Sequence, residues 1–505
     1  MSLPADRTPV IIGVGEVNDR PTDPMLAMEP LDLMAAAVRA ADADAGGGWL
    51  DKVDSLDLIH LVSWRYDTVA QRLADRLGIV PARAKYGIVG GETATTRLHE
   101  AATRIMNGNS LVAVVTGAEA QNAVGKAKAA GVTLPWTAPA KVPENPINPA
   151  DHVTAMAMRH GIMQPVHIYP LYENATVAAW GYTPAQALAE SGQVYERIAA
   201  RAAANPHAWG RKAFSADEIT SVSPDNRMIA YPYTKRMVAN NTVNQGNAVL
   251  MTSLAQARAA GISDDRLVFV HGGAAAAEPM DYLARDQFTH SVAQDAVLAQ
   301  ASRIAGIGDS GHTWGAVELY SCFPTVPKMA RRTLGLPMDA ELSVAGGLSF
   351  AGAGLNCYML MSACAMVRHL RAHPAPHALL YGQGGYVTKH HALVVGSLPG
   401  APAMLMLPMD VQADAESRRG PVPAFVDDHT GAAVVETFSI VYDRDGAPSH
   451  GSVIGRAVDG ARVFGKLDVA DADVLALFLN PDASPVGAKG VVSLGDDGLQ
   501  RWHLG

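Results

Sequence analysis

GGETAT at residues 90–95 and GGLSFA at residues 346–351 begin two segments of the chain that are built alike. Each Gly-rich turn opens an Ala-rich amphipathic run, and an apolar strand follows at residues 111–117 and at residues 378–382. The pattern predicts a duplicated fold. A helix that follows a Gly-rich turn presents unpaired N–H groups to an anion. Two such helices predict one site that is lined by both halves.

The length and composition set the class of protein. With 505 residues, the chain is long enough for two to four domains of about 150 residues each. Hydrophobic residues make up 49% and charged residues 18%, which is the balance of a globular protein with a large core. The net charge of −9 gives no electrostatic reason to expect nucleic acid or an anionic membrane as a partner.

The sequence predicts a cytoplasmic protein without metal or disulfides. The first residues contain no apolar stretch of signal-peptide length, and no segment approaches the roughly 18 apolar residues of a membrane span. The three cysteines, Cys322, Cys357 and Cys364, are too few for a disulfide framework and lack the spacing of a zinc site.

Strand and helix signals alternate up to about residue 400, which predicts an α/β fold. Short apolar runs bounded by Gly or Pro predict buried strands at residues 9–15, 55–62, 111–116, 266–272, 316–320 and 392–396. Periodic Ala/Leu runs predict helices at residues 30–41 and 68–77.

Two regions break this alternation. Residues 120–225 include irregular Pro-rich stretches, and an insertion of that size predicts a loop domain or lid over the site. From about residue 401 the chain becomes β-rich, which predicts a small separate barrel or sandwich. The predicted domains are residues 1–260 with the lid, residues 261–400 and residues 401–505.

Three motifs resemble the thiolase superfamily, nearest to its sterol-carrier-protein-type thiolase-like branch. Residues 317–324 (VELYSCFP) resemble the His-Asp-Cys-Phe loop of that branch, and residues 346–354 resemble its Gly-Gly-Leu…Gly-His-Pro element. Residues 244–250 (NQGNAVL) resemble the Asp-Gly-Ala-Ala stretch that closes the first half. The resemblance covers residues 9–396 and implies a duplicated thiolase fold of five layers, α-β-α-β-α. The tail resembles an additional domain of oligonucleotide-binding-like shape found in some bacterial thiolase-like proteins.

The chain departs from this family at its catalytic positions. A thiolase needs a cysteine nucleophile at the first helix start, where the helix dipole helps to hold a thiolate. Glu92 or Thr93 occupies that position here, and helix capping is the favoured interpretation of both. The family's acid/base His falls on Ala353, and its second reactive Cys falls on Gly382. We therefore expect ordinary thiolase activity to be absent.

The remaining candidates are few. Tyr320 takes the place of another family His, and a buried phenol can polarise a thioester carbonyl or protonate an enolate. Tyr320 and Cys322 are therefore the catalytic candidates, although a core tyrosine and an inert thiol are the simpler interpretations. Gly347, Ser349 and Gly384 are candidate ligand-binding residues.

Two functions remain open. The first is a pseudoenzyme of the acetyl-CoA acetyltransferase family that binds a CoA thioester or a lipid-like acyl group, without a further cofactor. The second is an acyl-CoA enzyme of altered chemistry, such as retro-aldol cleavage or acyl transfer, that uses Tyr320 and Cys322. The tail is predicted to be a docking or lid domain rather than a nucleic-acid binder. Charges along residues 83–88, where related thiolases dimerise, favour a monomer over a homodimer.

Overall fold

The computed structural model describes residues 4–148, 152–308, 313–400 and 407–505. Its strands are β1 (Pro9–Asn18), β2 (Ser55–Leu58), β3 (Arg83–Tyr86), β4 (Val112–Ala120), β5 (Met228–Ala230), β6 (Tyr233–Thr234), β7 (Asn244–Ser253), β8 (Val268–Ala277), β9 (Ala316–Leu319), β10 (Ala378–Gly384), β11 (Lys389–Gly396), β12 (Phe425–Val426), β13 (Gly431–Tyr442), β14 (Pro448–Ala457), β15 (Arg462–Leu467), β16 (Lys489–Leu494) and β17 (Gln500–Leu504). Every strand predicted before residue 400 is present, with boundaries that differ by a few residues.

The α-helices complete the secondary structure of the described residues. They are α1 (Pro30–Asp44), α2 (Val69–Leu77), α3 (Thr93–Met106), α4 (Gln121–Ala130), α5 (Ala155–Arg159), α6 (Pro165–Ala179), α7 (Pro184–Ala204), α8 (Ala216–Thr220), α9 (Leu254–Ala259), α10 (Val292–Ile304), α11 (Thr325–Thr333), α12 (Tyr358–Ala372), α13 (Gln412–Arg418) and α14 (Ala472–Phe478). Within the described ranges, none of these helices has the length and apolar character needed to cross a membrane.

The core sheet consists of two halves with the same strand order. Nine strands of the described residues form it in the order β3-β2-β4-β7-β1-β8-β11-β10-β9. Outward from the junction between β1 and β8, the strands β1, β7, β4 and β2 correspond to β8, β11, β10 and β9. In both halves the first three of these strands are antiparallel neighbours and the fourth pairs in parallel. The predicted duplication is confirmed.

Helices and half-sheets form five layers. Helix α1 packs on the outer face of β1 and β7, and α10 packs on the outer face of β8 and β11. Helices α3 and α12 contact strands of both halves and therefore lie between them. The packing is close because small residues face each other: a Cβ on Gly13 or Gly15 would overlap the backbone of α1. The α-β-α-β-α arrangement is confirmed.

The region between β4 and β7 is more helical than the sequence suggested. Residues 135–148 are irregular, as predicted, but α5 to α8 follow them. Prolines that favour loops elsewhere stand at the starts of α6 and α7, where a missing N–H costs nothing. Thr183 and Gln186 add a capping box to α7. Helix α6 is buried at every position from Ile168 to Val177, so it lies inside the protein.

The β-rich tail forms a closed barrel. Strand β13 pairs with β14 and β16, β15 pairs with β14 and β17, and β16 pairs with β17, which closes the ring. Trp502, Phe438 and Phe478 are buried in its core. Helix α14 lies between β15 and β16 along the chain. The predicted β-rich tail is therefore confirmed, and of the two predicted forms, barrel or sandwich, the closed ring is a barrel.

A buried ion pair connects the lid to the second half of the core. Lys328 of α11 donates hydrogen bonds to Glu173 of α6 and, at 2.8 Å, to Ser191 of α7. The Lys328 and Glu173 side chains are 0% and 1% exposed. Tyr233 also donates to Glu173 at 2.8 Å. Removal of one partner would leave the other charge buried and uncompensated.

We predict that Lys328→Met lowers the free energy of unfolding by about 3–5 kcal/mol, because the buried Glu173 side chain loses its cationic partner. Arg418→Met is the matched control, since Arg418 pairs with Asp414 in an exposed site and such pairs contribute about 0–1 kcal/mol. Urea unfolding of both variants measures the difference. Equal shifts would contradict the structural role of the pair.

Candidate active site

A cavity of about 310 Å³ lies where the two halves of the core and the lid meet. Its wall includes Gly90 and Gly91 from the turn before α3, Tyr320 and Cys322 after β9, Ala353 before α12, and Gly384 at the end of β10. Further wall residues are Val166 and Tyr169 of α6, Phe323, Leu348, Leu355, Asn356 and Gln383. Together with residues 238–241, six segments that are distant in sequence thus enclose one mostly apolar space.

The turn before α3 is fixed by the opposite half of the molecule. The Gly90 N–H donates to Asn356 Oδ1 at 2.9 Å, and Asn356 Nδ2 donates to the His60 carbonyl at 2.9 Å. Gly91 faces Tyr320 and the end of β10 so closely that a Cβ would overlap Tyr320 Oη and the Gln383 carbonyl. Tyr320 therefore fills the space into which a side chain at position 91 would project.

Glu92 and Thr93 do not cap α3 in the predicted way. The Glu92 carboxylate makes no capping hydrogen bond and instead forms a 3.0 Å ion pair with Lys389 of β11. The Thr93 hydroxyl donates to the Gly90 carbonyl at 2.6 Å rather than accepting from an N–H. The predicted Thr93 cap is therefore wrong, whereas Glu92 does stand at the helix start and pairs there with a cation from a neighbouring strand that the local sequence does not show.

The Glu92 carboxyl is nearly enclosed. It is 7% exposed, its Oε2 atom has no hydrogen-bond partner, and it lies behind Gly384. Burial raises the pKa of Glu92, and the Lys389 ammonium partly opposes this effect. Lys389 also donates to the Val89 carbonyl at 2.5 Å, so it ties β11 to the turn before α3.

The phenol of Tyr320 is the polar group that stands out in the cavity. Tyr320 is 7% exposed, and its Oη makes no hydrogen bond with any residue that the structure describes. Its ring packs edge-on against Tyr358 at 5.9 Å between ring centroids. Burial raises the pKa of Tyr320 well above its usual value, and the nearby Cys322 and Glu92 add to the shift. The phenol therefore stays protonated and is available as a donor.

Cys322 is a neutral thiol in this environment. Its Sγ lies 3.8 Å from Gln383 Oε1, to which the thiol donates. Burial raises the pKa of Cys322 to about 12. Because the thiolate is the reactive form of cysteine, the geometry does not activate Cys322 as a nucleophile.

Tyr169 and Gln383 belong to the site, although sequence reasoning did not single them out. Tyr169 donates to Gln383 Oε1 at 2.9 Å and lies 3.0 Å from the Gly385 carbonyl, and its ring stacks on Phe323 at 4.3 Å. Gln383 Nε2 donates to the Gly384 carbonyl at 2.9 Å. No local motif marks Tyr169, because its role arises when α6 folds over the end of β10.

The second Gly-rich turn lies partly outside this cavity. Gly347 has φ = 70° and packs against Ile198 of α7, whereas Leu348 reaches the cavity wall. Glu318, next to β9's end, accepts from the N–H groups of Val344 and Ala345 at 2.8 and 3.0 Å and thereby holds the approach to the turn. Gly382 is packed among Thr95, Glu92 and Met359. Gly347 and Gly382 are thus close-packing positions in the structure.

A second cavity of about 670 Å³ adjoins the first and shares Val238, Ala239 and Asn241 with it. Ser349 lies in its wall together with the cationic residues Lys212, Lys235 and Arg236. Phe214 is placed between two of these cations, with Lys212 at 4.8 Å and Arg236 at 4.5 Å from its ring centroid. Asp225 is the acidic residue in this lining. We call this second cavity the vestibule.

In the part of the chain that the structure describes, there is no group of three or more His, Cys, Asp or Glu side chains that could hold an ion. The site therefore consists of a phenol, a neutral thiol and close-packed glycines beside a cationic vestibule.

We predict that Gly384→Ala destabilises the protein by about 1–3 kcal/mol, because the new Cβ would overlap the Glu92 carboxyl and force it from Lys389. Gly125→Ala in α4 is the control: a Cβ there has open space, and the change should stabilise by about 0.5–1 kcal/mol. Thermal unfolding compares them. A Gly384→Ala protein as stable as the Gly125→Ala protein would contradict the close packing.

A comparison with curated proteins found no match. Residues 410–497 match the family model of the thiolase-like protein type 1 additional C-terminal domain. The fold is similar to the crystal structure of a monomeric SCP2-thiolase-like protein type 1 from Mycobacterium smegmatis, with a TM-score of 0.80 and 28% identity over 99% of this chain and 100% of that chain.

Two further structures share the fold of the core. The Ltp2-ChsH2(DUF35) aldolase has a TM-score of 0.57 and 20% identity, over 78% of this chain and 99% of that chain. An acetyl-CoA acetyltransferase from Syntrophomonas wolfei has a TM-score of 0.52 and 12% identity, over 77% of this chain and 99% of that chain. The chain therefore has a thiolase-like fold, and residues 410–497 match the additional C-terminal domain of the type 1 thiolase-like proteins.

Proposed function

We propose that this protein binds a CoA thioester as a single chain and does not carry out thiolase chemistry. The thioester end occupies the smaller cavity, and the nucleotide end occupies the vestibule. The observation that carries this proposal is the Tyr320 hydroxyl, which has no partner among the described residues, in a mostly apolar cavity that adjoins a cationic one.

Tyr320 gives the smaller cavity its specificity. A buried donor without a partner loses hydrogen-bond energy, and a ligand oxygen restores it. A thioester carbonyl is an acceptor that fits beside apolar residues such as Leu348 and Phe323. Because the raised pKa keeps the phenol protonated, it donates over the whole physiological pH range.

The vestibule supplies the charge for the other end of the ligand. Lys212, Lys235 and Arg236 present three cations to a space that also contains an aromatic ring, Phe214. Cationic side chains form strong charge-assisted hydrogen bonds with phosphate oxygens, and an aromatic face offers a surface for a nucleobase. CoA carries both groups, and its pantetheine arm would pass Asn241 between the cavities.

The absence of an activated nucleophile supports binding without condensation. Gly91 has no side chain, Glu92 is turned toward Lys389, and Cys322 is protonated. No covalent acyl-enzyme is therefore expected. The similar protein from Mycobacterium smegmatis is described as monomeric, which supports a role for a single chain.

A second candidate is retro-aldol cleavage of a 3-hydroxyacyl thioester. In that reaction the C3 hydroxyl loses its proton to a base and becomes a carbonyl as the bond between C2 and C3 breaks. The electron pair of that bond enters a thioester enolate, which then takes up a proton at C2. Tyr320 is placed to stabilise that enolate, and one of the similar folds belongs to an aldolase. Binding alone is the better-supported function, because the nearest carboxylate, Glu92, is paired with Lys389 and covered by Gly384.

Calorimetry with acetyl-CoA and butyryl-CoA should show saturable binding, and Tyr320→Phe should weaken it about three- to tenfold through the loss of one hydrogen bond. Arg236→Ala should also weaken binding, more strongly at low salt, whereas Lys489→Ala in the barrel is the charge-matched control. Mass spectrometry should detect no thiolysis or condensation product. Absence of binding at millimolar ligand would overturn the proposal, and Tyr320-dependent cleavage of a 3-hydroxyacyl-CoA would favour the aldolase.

A second prediction concerns the thiol. With a pKa of about 12, Cys322 in the native protein should react with iodoacetamide at pH 8 about a thousandfold more slowly than a free cysteine of pKa about 8.5. The rate should rise about tenfold per pH unit toward pH 10, because the thiolate fraction does so. Peptide mapping measures it, with the urea-unfolded chain as control. Native labelling as fast as unfolded labelling would show an activated thiol and argue for acyl transfer.

A further inference from the structure

Helix α6 forms one wall of the smaller cavity, and its first turns are intrinsically weak. Pro165, Val166 and Tyr169 lie in that wall. Pro170 follows inside the helix, where it has no N–H to donate to the Val166 carbonyl. A helix interrupted in this way needs support from its surroundings, so the geometry of the wall depends on the elements that pack on α6.

The core supports the inner side of α6. Tyr169 contacts Gln383 and the Gly385 carbonyl, and Tyr172 donates to the Tyr386 carbonyl at 2.7 Å. These contacts join α6 to the loop after β10, which is itself part of the cavity. A shift of α6 would therefore also displace this loop.

The barrel supports the outer side of the same helix. The Thr437 hydroxyl in β13 donates to the Leu171 carbonyl at 2.5 Å, and Asn174 Nδ2 donates to the Phe438 carbonyl at 2.9 Å. Thr437 is 0% exposed and Asn174 is 4% exposed, so water does not compete for these bonds. Both bonds lie within one turn of Pro170.

Other parts of the lid are joined to the barrel as well. The Tyr231 N–H, beside β5, donates to the Ile440 carbonyl of β13 at 2.9 Å. The Ser452 hydroxyl donates to the His160 carbonyl at 3.0 Å, and the His160 ring stacks on Phe464 at 4.4 Å. The barrel thus contacts the lid before α6, along α6 and after α8.

We propose that the C-terminal barrel is the outer support of the lid and holds α6 so that Tyr169 closes the cavity within a single chain. Thr437 and Asn174 are positioning residues, because neither lines the cavity and both act through α6. The support itself consists of the pair of hydrogen bonds between the barrel and α6. Its effect on ligand affinity rests on the proposed binding of a CoA thioester.

Hydrogen exchange of the full-length protein tests the support directly. Thr437→Val keeps the shape of the side chain but removes the donor to Leu171, so the amides of residues 165–179 should exchange about five- to thirtyfold faster. Thr437→Ser restores the hydroxyl and should restore most of the protection. Ser439→Ala is the matched control in the same strand, since the buried Ser439 hydroxyl has no hydrogen-bond partner.

Titration of the same proteins with butyryl-CoA separates positioning from general stability. Thr437→Val should bind about three- to tenfold more weakly, and Thr437→Ser and Ser439→Ala should bind like the unchanged protein. Unchanged exchange in residues 165–179, or faster exchange confined to β13 and β14, would overturn the proposal. If the unchanged protein binds no CoA ester, the proposed function fails, whereas the exchange data still decide whether the barrel supports α6.

Discussion

The site depends on how closely the start of α3 approaches the end of β10. Gly91 leaves room for the Tyr320 hydroxyl, and Gly384 leaves room for the Glu92 carboxyl. A side chain at either glycine would separate the two halves of the core. The tight junction between the halves thus fills the space that a side chain at position 91 would need.

This junction also explains why so few polar groups are available to a ligand. The Asn356 side chain bonds to the Gly90 N–H and the His60 carbonyl, and Gln383 Nε2 donates to the Gly384 carbonyl. The Glu318 carboxylate accepts from a backbone N–H just before the second Gly-rich turn. Buried polar groups are costly unless they are paired. The Tyr320 phenol has no hydrogen-bond partner among the described residues, and such a donor favours a ligand that carries an acceptor.

The lid illustrates the limit of local sequence patterns. Prolines suggested irregular structure, but Pro165 and Pro184 begin helices, where their missing N–H groups are harmless. Pro170 lies inside α6 and is tolerated where the core and the barrel both pack on the helix. The identity of Tyr169 as a wall residue could not be predicted, because it requires the contact between α6 and a loop more than 200 positions later.

The sequence by itself determined the duplicated α/β core and the β-rich tail, and its motif residues predict that the thiolase catalytic set is missing. These features follow from hydrophobic periodicity, Gly-rich turns and motif residues, which are local properties. Only the tertiary structure decided that Glu92 pairs with Lys389, that Gly347 packs on α7 and that the barrel contacts α6. These features depend on which distant segments come into contact. Buried ion pairs and close packing form between such segments, so the residues next to them in the chain do not predict them.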